Sequence, residues 1–174
     1  MGSLKTEPAR ERPDLLAPSV LAALGDWPEP DVLVASIDPA LADTAAFCEA
    51  YGVALDASAN CVVVAGKREG ETRYAACVVL ATTRADVNGV ARRRLDVRKA
   101  SFAPMDVAVA ETGMEYGGIT PIGLPPAWPV LVDARVTAVP YVIVGSGARH
   151  SKILLPGAAL GRLPGAEVIE NLGK

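Results

Sequence analysis

Thr112–Pro125, TGMEYGGITPIGLP, is too rich in glycine and proline for a helix or a plain strand. Gly113, Gly117, Gly118 and Gly123 admit positive φ and leave room for an approaching group. Pro121 and Pro125 fix φ and withhold donors. A long stiff loop with exposed N–H groups suits one of two roles. It holds a polar ligand or a developing oxyanion, or it ties two elements together. Composition alone leaves both open.

Outward from this loop, the elements alternate irregularly. Pro104–Glu111 reads as a helix that Gly113 caps. Downstream, Val130–Asp133 and Tyr141–Val144 read as short strands, the second closed by Gly145, Ser146 and Gly147. Lys152–Leu155 is a third strand, a short helix runs from Pro156 and Gly157 to about Leu163, and Glu167–Ile169 closes the series. Upstream, Asn60–Ala65 and Arg73–Ala81 flank a polar turn at Lys67–Gly70, the pattern of a hairpin. Asp38 followed by Pro39 is a helix-start signal, with Gly52 as the stop and Leu41, Ala45, Cys48 and Tyr51 facing inward. Pro18–Leu24 and Asp86–Arg94 read as helices, Val32–Ile37 and Val97–Phe102 as strands. Strands that follow one another by short turns, with helices between, predict an α+β domain with a mixed sheet.

The chain has 174 residues, the size of one domain, and 51% of them are apolar but only 5% aromatic, which predicts an aliphatic core. A net charge of −3 argues against a generally basic nucleic-acid binder and leaves room for a local basic patch. Arg92, Arg93 and Arg94, with Arg98 and Lys99, form such a patch. It is either a solvated helix face or a phosphate contact. Cys48, Cys61 and Cys77 form no CxxC pair and fit buried thiols in a reducing cytosol. With a single histidine, His150, a multi-histidine metal site is excluded. No apolar run approaches the ~20 residues of a membrane span, and the polar first residues lack a secretory signal. Neither a metal nor a cofactor is expected.

Motif tests narrow the chemistry further. There is no Walker sequence, no GxGxxG followed by a helix, no HExxH and no GxSxG elbow. A Ser–His–Asp set assembled from Ser146 or Ser151, His150 and Asp133 has no spacing to support it.

Several stretches together resemble the YbaK/prolyl-tRNA synthetase-associated family of aminoacyl-tRNA editing domains. LADTAAFCEAYGV resembles its early helix, SANCVVVAG its lysine-bearing strand and RADVNGVARRR its middle helix. TGMEYGGITPIGLP resembles its TGxxxGGxxPxG loop, followed by a strand ending in Asp, here PVLVDARV. VIVGSGARHSKILL resembles its C-terminal Gly-rich turn and strand. The likeness runs over about residues 15–170, in the same order. It implies a flexible segment at 1–14 and one α+β editing domain at 15–174, a mixed β-sheet or partly closed barrel with packed helices.

The resemblance also implies a cytoplasmic aminoacyl-tRNA deacylase that removes a small misattached amino acid. Its substrate would be the acceptor end of the tRNA, with a synthetase as a possible partner. Such a second site is needed because one methylene gives a synthetase pocket only about 1–3 kcal/mol of discrimination. Gly113 and Gly118 would shape the catalytic loop. Gly117, Thr120, Pro121 and Gly123 would line it, and Ser146, Gly147 and Lys152 would border the substrate from later strands. One departure bears on catalysis: the family's xxKSLVF pattern places its lysine where this chain has Asn60. Asn offers donors and an acceptor but no charge. Either hydrolysis runs on a different constellation, with Lys152 or Arg149 approaching from another strand, or the domain binds an aminoacyl group, nucleotide or protein without cleaving.

Overall fold

A computed structural model describes residues 1–174. The chain opens with a short strand, β1 (Thr6–Pro8), then two 3-10 turns and helix α1 (Pro18–Asp26), whose first-turn proline needs no acceptor. Strand β2 (Leu33–Ser36) follows. Part of the segment 1–14 packs on the body of the chain. Thr6–Pro8 pairs antiparallel with β2, and Ala9 is completely buried.

Asp38 caps as its sequence signals, accepting from Ala40 N–H, but the element it starts is a single 3-10 turn, Pro39–Leu41. A second cap, Asp43, starts helix α2 (Thr44–Tyr51), which Gly52 ends at φ 65°. The buried face of α2 is Phe47 and Cys48. Ala45, expected inside, is exposed.

Strands β3 (Ala59–Arg68) and β4 (Glu71–Leu80) form the hairpin, turning at Glu69 and Gly70. Asp86 caps a π-turn, Val87–Ala91, that runs into helix α3 (Arg92–Leu95). Strand β5 (Ala100–Phe102) and helix α4 (Met105–Thr112) precede the glycine-rich loop, and Gly113 caps α4 at φ 67°. After the loop come β6 (Val130–Asp133), α5 (Ala134–Thr137), β7 (Val142–Gly145), β8 (Ser151–Leu155), α6 (Gly157–Leu160) and β9 (Ala166–Ile169).

The strands form two sheets. One has the order β1-β2-β8-β7, the other β5-β3-β4-β6-β9, with β4–β6 and β6–β9 parallel. A single parallel bridge, Ser58 to Ile143, joins them, so the barrel is not closed.

The main core lies between the sheets, where Val78 and Leu80 of β4 meet Ile153 and Leu155 of β8 and Val20 and Leu24 of α1. The other face of β4, Ala75, Cys77 and Val79, is covered by Val87, Ala91 and Leu95. That alternation is the two-residue period of a strand buried on both sides. A smaller cluster on the outer face of the four-stranded sheet packs Phe47 and Cys48 against Ile143 and Leu154. No helix is long and apolar enough to cross a membrane.

Candidate functional site

A cavity of about 660 Å3 opens where the start of α2, the start of β3, the glycine-rich loop and the β7–β8 pair converge. Asp43, Thr44, Ser58, Asn60, Tyr116, Arg149 and Lys152 supply its polar groups. Ala45, Ala59, Cys61, Ile119, Ile143 and Val144 supply an apolar lining of small and branched side chains. This size and mixed character suit a small organic ligand or the end of a larger one.

Lys152 is the charge at the heart of this site. It sits on β8, paired across to Ala35 and Gly145, and its side chain shares the outer sheet face with Leu154. It is only 7% exposed. Nζ donates to Ala42 O at 2.9 Å and to Gly117 O at 3.4 Å, and lies 5.5 Å from the Phe47 ring centroid. No carboxylate forms an ion pair with it. Burial lowers its pKa, an effect that Cys48 and Asp43 oppose. Burying an ammonium without a counter-ion is costly, and such groups concentrate at functional sites.

Asn60, 16 residues after Thr44, accepts the Thr44 hydroxyl hydrogen bond on Oδ1 at 2.7 Å. Its amide NH2 is left as a donor pair at the cavity wall. Asp43 accepts from Ala45 N–H at 3.1 Å, and its remaining lone pairs face solvent.

The loop is stiffened by stitches to the turn after β7. Glu115 N–H donates to Gly147 O, and Gly147 N–H donates to Gly118 O at 2.7 Å. Arg149 clamps the same region: its backbone N–H donates to Glu115 Oε2 and its guanidinium to Tyr116 O and Pro39 O. Gly118 N–H is consumed by Glu115 O, whereas the N–H groups of Tyr116, Gly117 and Ile119 have no acceptor in the protein. These three residues line the cavity. The free donors are therefore Tyr116, Gly117 and Ile119 rather than Gly118.

Of the residues singled out from sequence, Asn60, Gly117, Arg149 and Lys152 line the cavity. The other candidate site residues do not line it. Gly113 caps α4 with open space around it. Gly118 packs on the Ala148 backbone, and a Cβ there would lie 2.6 Å from Ala148 O. Thr120 is completely buried with its hydroxyl unpartnered, Pro121 is buried, and Gly123 packs on Ser19. Ser146 bonds to Ser151 Oγ at 2.7 Å and to Ala148, and Gly147 takes φ 83° against Ala17. Asp43, Thr44, Tyr116 and Ile119 are wall residues that sequence reasoning did not single out. The Asp43–Thr44 pair, a cap signal, was masked by the earlier Asp38–Pro39 signal.

The serine and cysteine alternatives have no geometry behind them. His150 Nε2 meets Asp14 O at 3.2 Å, while Ser151 Oγ donates to Leu15 O. Asp133 is spent on Arg135 and Gly173 at the far end of β6. Burial raises all three thiols, Cys77 to about 12, so none is a thiolate near neutral pH. No group of three or more His, Cys, Asp or Glu could hold a metal.

One family model matches the chain. The aminoacyl-tRNA editing domain family matches residues 38–163. A structure described as a candidate trans-editing enzyme for prolyl tRNA synthetase is 22% identical, with a TM-score of 0.75, over 91% of this chain and 99% of its own. A scaffold used for computational grafting of an epitope backbone superposes equally well, with 22% identity and a TM-score of 0.75 over 91% of this chain and 97% of the other. A hypothetical protein gives a TM-score of 0.70 at 20% identity, over 81% and 90% of the two chains. No curated protein matches the chain. The structural likenesses share the two-sheet α+β architecture, and the family match covers the segment that holds every polar wall residue of the cavity: this chain belongs to the aminoacyl-tRNA editing domain family.

Proposed function

We propose that the cavity hydrolyses the ester between a small amino acid and the acceptor end of tRNA. The observation that carries this reading is that a buried ammonium without a carboxylate partner, Lys152 Nζ, shares one cavity wall with Tyr116, Gly117 and Ile119, whose backbone N–H groups have no acceptor in the protein. Attack of water on an ester carbonyl places negative charge on its oxygen, and fixed donors in a water-poor site stabilise that charge without reorganising. The Asn60 amide adds two donors at the same wall. Asp43 offers a carboxylate to the α-ammonium of the aminoacyl group. Ala45, Ala59 and Cys61 bound the space for its side chain and favour a small one. Water itself is the nucleophile in this scheme, since burial raises the Cys61 thiol and no histidine lines the cavity to activate Ser58.

The test is release of amino acid from tRNAs charged with Ala, Ser, Cys or Pro. Selective release that disappears in Lys152→Met supports the reading. No release from any of the four at high enzyme concentration sinks it for this panel.

A second reading is favoured by one observation: Asn60 carries no charge, and the one carboxylate of the cavity, Asp43, is given to the α-ammonium in the scheme above, which leaves no base for water. On this reading the cavity binds an aminoacyl group without cleaving it. Binding of a non-hydrolysable aminoacyl-adenosine amide, with no turnover of the matching ester, identifies this case.

A further inference from the structure

The strand that lines the cavity also lines a second cleft. Cys61, Val63, Ala65 and Lys67 alternate onto one face of β3. Cys61 reaches the first cavity. Val63 is roofed by Ala108 and Trp128. Ala65 and Lys67, with Thr72 and Tyr74 across the hairpin and Ser101 on β5, floor the second cleft, which has a volume of about 550 Å3. From Cys61 to Lys67 the strand runs ~20 Å.

The cationic rim of this cleft is Lys67, Arg98 and Lys99. None of the three forms an ion pair. The acid among them, Asp96, is taken by Arg68 and Arg73. Arg92 lies alongside, with Nη1 3.5 Å from Arg98 O. Charge along the chain is sharply divided. Residues 66–106 hold nine of the 17 basic residues and five of the 20 acidic ones, a net of +4, so the remainder carries −7. An acidic protein that sets three cations without ion pairs on the rim of one cleft presents a local field for a polyanion there. The cleft walls are polar, apart from Ala65, Pro104 and Val107, and Tyr74 is already stacked on Trp128 at 4.9 Å. That favours contact with a backbone over insertion of bases.

We infer that this cleft seats the phosphate backbone of an RNA arm whose end enters the first cavity. The inference rests on the tRNA-ester reading for the identity of the RNA. The contact itself is electrostatic and sequence-independent, and the ~20 Å along β3 sets the offset between the ester and the gripped phosphates.

The test uses the full chain and an uncharged acceptor-stem RNA hairpin carrying a fluorophore, with anisotropy titrations between about 50 and 200 mM salt. The variants are Lys67→Ala/Arg98→Ala/Lys99→Ala and, as a remote control, Lys5→Ala. The triple variant is expected to bind more weakly, with a salt slope smaller by about 2–3, one step of roughly 0.7–0.9 per lost phosphate contact. Lys5→Ala should bind as the parent does. The three side chains are exposed, so the melting temperature should stay unchanged. In the deacylation assay the triple variant should raise KM for charged tRNA and leave cleavage of an aminoacyl-adenosine ester untouched. An unchanged affinity and slope in a folded triple variant overturns the cleft. Failure of the deacylase reading shows differently: neither ester is cleaved by the parent, while the RNA titrations still judge the cleft.

Discussion

Thr44 Oγ1 donates to Asn60 Oδ1 at 2.7 Å, so the first residue of α2 fixes which end of the Asn60 amide meets the cavity. With Oδ1 engaged, the NH2 group is the half left free for a ligand. Asn60→Asp removes both donors, sets a negative charge beside the carbonyl site and keeps the shape. Loss of one oxyanion donor elsewhere costs about 100- to 1,000-fold in kcat, and a drop of that order is expected here with KM little changed. Thr44→Val frees the amide to turn and should give a smaller loss. Single-turnover kinetics on the preferred charged tRNA measures both. An Asn60→Asp enzyme as fast as the parent removes Asn60 from the chemistry.

The Lys152 ammonium is buried without a carboxylate partner, which costs stability. Lys152→Met keeps the volume and removes the buried charge, so the variant should abolish turnover yet melt no lower than the parent at neutral pH. The pH dependence has a defined sign. Burial puts the folded pKa below the ordinary 10.5, so between the two values the unfolded chain binds more protons. The penalty is present in full below the folded pKa and is relieved as pH rises through it. Parent stability should therefore gain on that of Lys152→Met in that alkaline window. Denaturant melts across the alkaline range test this, and parallel curves would show that Lys152 is not desolvated.

Much of this was legible in sequence because local chemistry and tertiary structure agree. The Gly113 cap, the β3–β4 hairpin and the alternation in β4 follow from glycine geometry and strand period alone. The early helix went astray at Asp38 because two cap signals lie five residues apart, Asp38 and Asp43, and only the second begins an α-helix. The cavity was half legible. Gly117, Asn60 and Lys152 come together as expected, but Thr120, Pro121 and Gly123 turn inward as framework. Nothing in the glycine pattern distinguishes an N–H spent on Glu115 O, as at Gly118, from one left free, as at Gly117. That distinction depends on pairing between residues far apart in the chain.

Gly113 and Gly118 separate two reasons for a glycine in the same loop. Gly113 has φ 67° and open space around its Cα, so Gly113→Ala meets only backbone strain, about 1 kcal/mol, and should spare activity. At Gly118 a Cβ would press on the Ala148 carbonyl at 2.6 Å, and backbone cannot step aside as a side chain does. Gly118→Ala should cost roughly 1–3 kcal/mol. It should also loosen the Gly147 N–H to Gly118 O stitch, lowering kcat through the loop. Thermal melts and kinetics on the pair are decisive: equal losses would mean that the loop tolerates displacement and is not the rigid part of the site.

The carboxylate of Asp133, 1% exposed, fastens the C-terminal residues and does not line the cavity. Oδ2 accepts Gly173 N–H and, with Oδ1, the Arg135 guanidinium, while Arg135 Nη2 also donates to Gly173 O at 2.6 Å. Burial alone would raise its pKa, but the Arg135 and backbone donors outweigh it and hold it below the ordinary 3.8. The stabilisation is therefore complete above that value and is lost as pH falls through the folded pKa. Asp133→Asn should cost about 1.5–3 kcal/mol at neutral pH, the range for a hydrogen bond to a charged group. The gap to the parent should close in strong acid. Because the clasp lies away from the cavity, the folded variant should keep its KM for the aminoacyl ester. A variant that melts like the parent at pH 7 would show that the C-terminus is not held by this carboxylate.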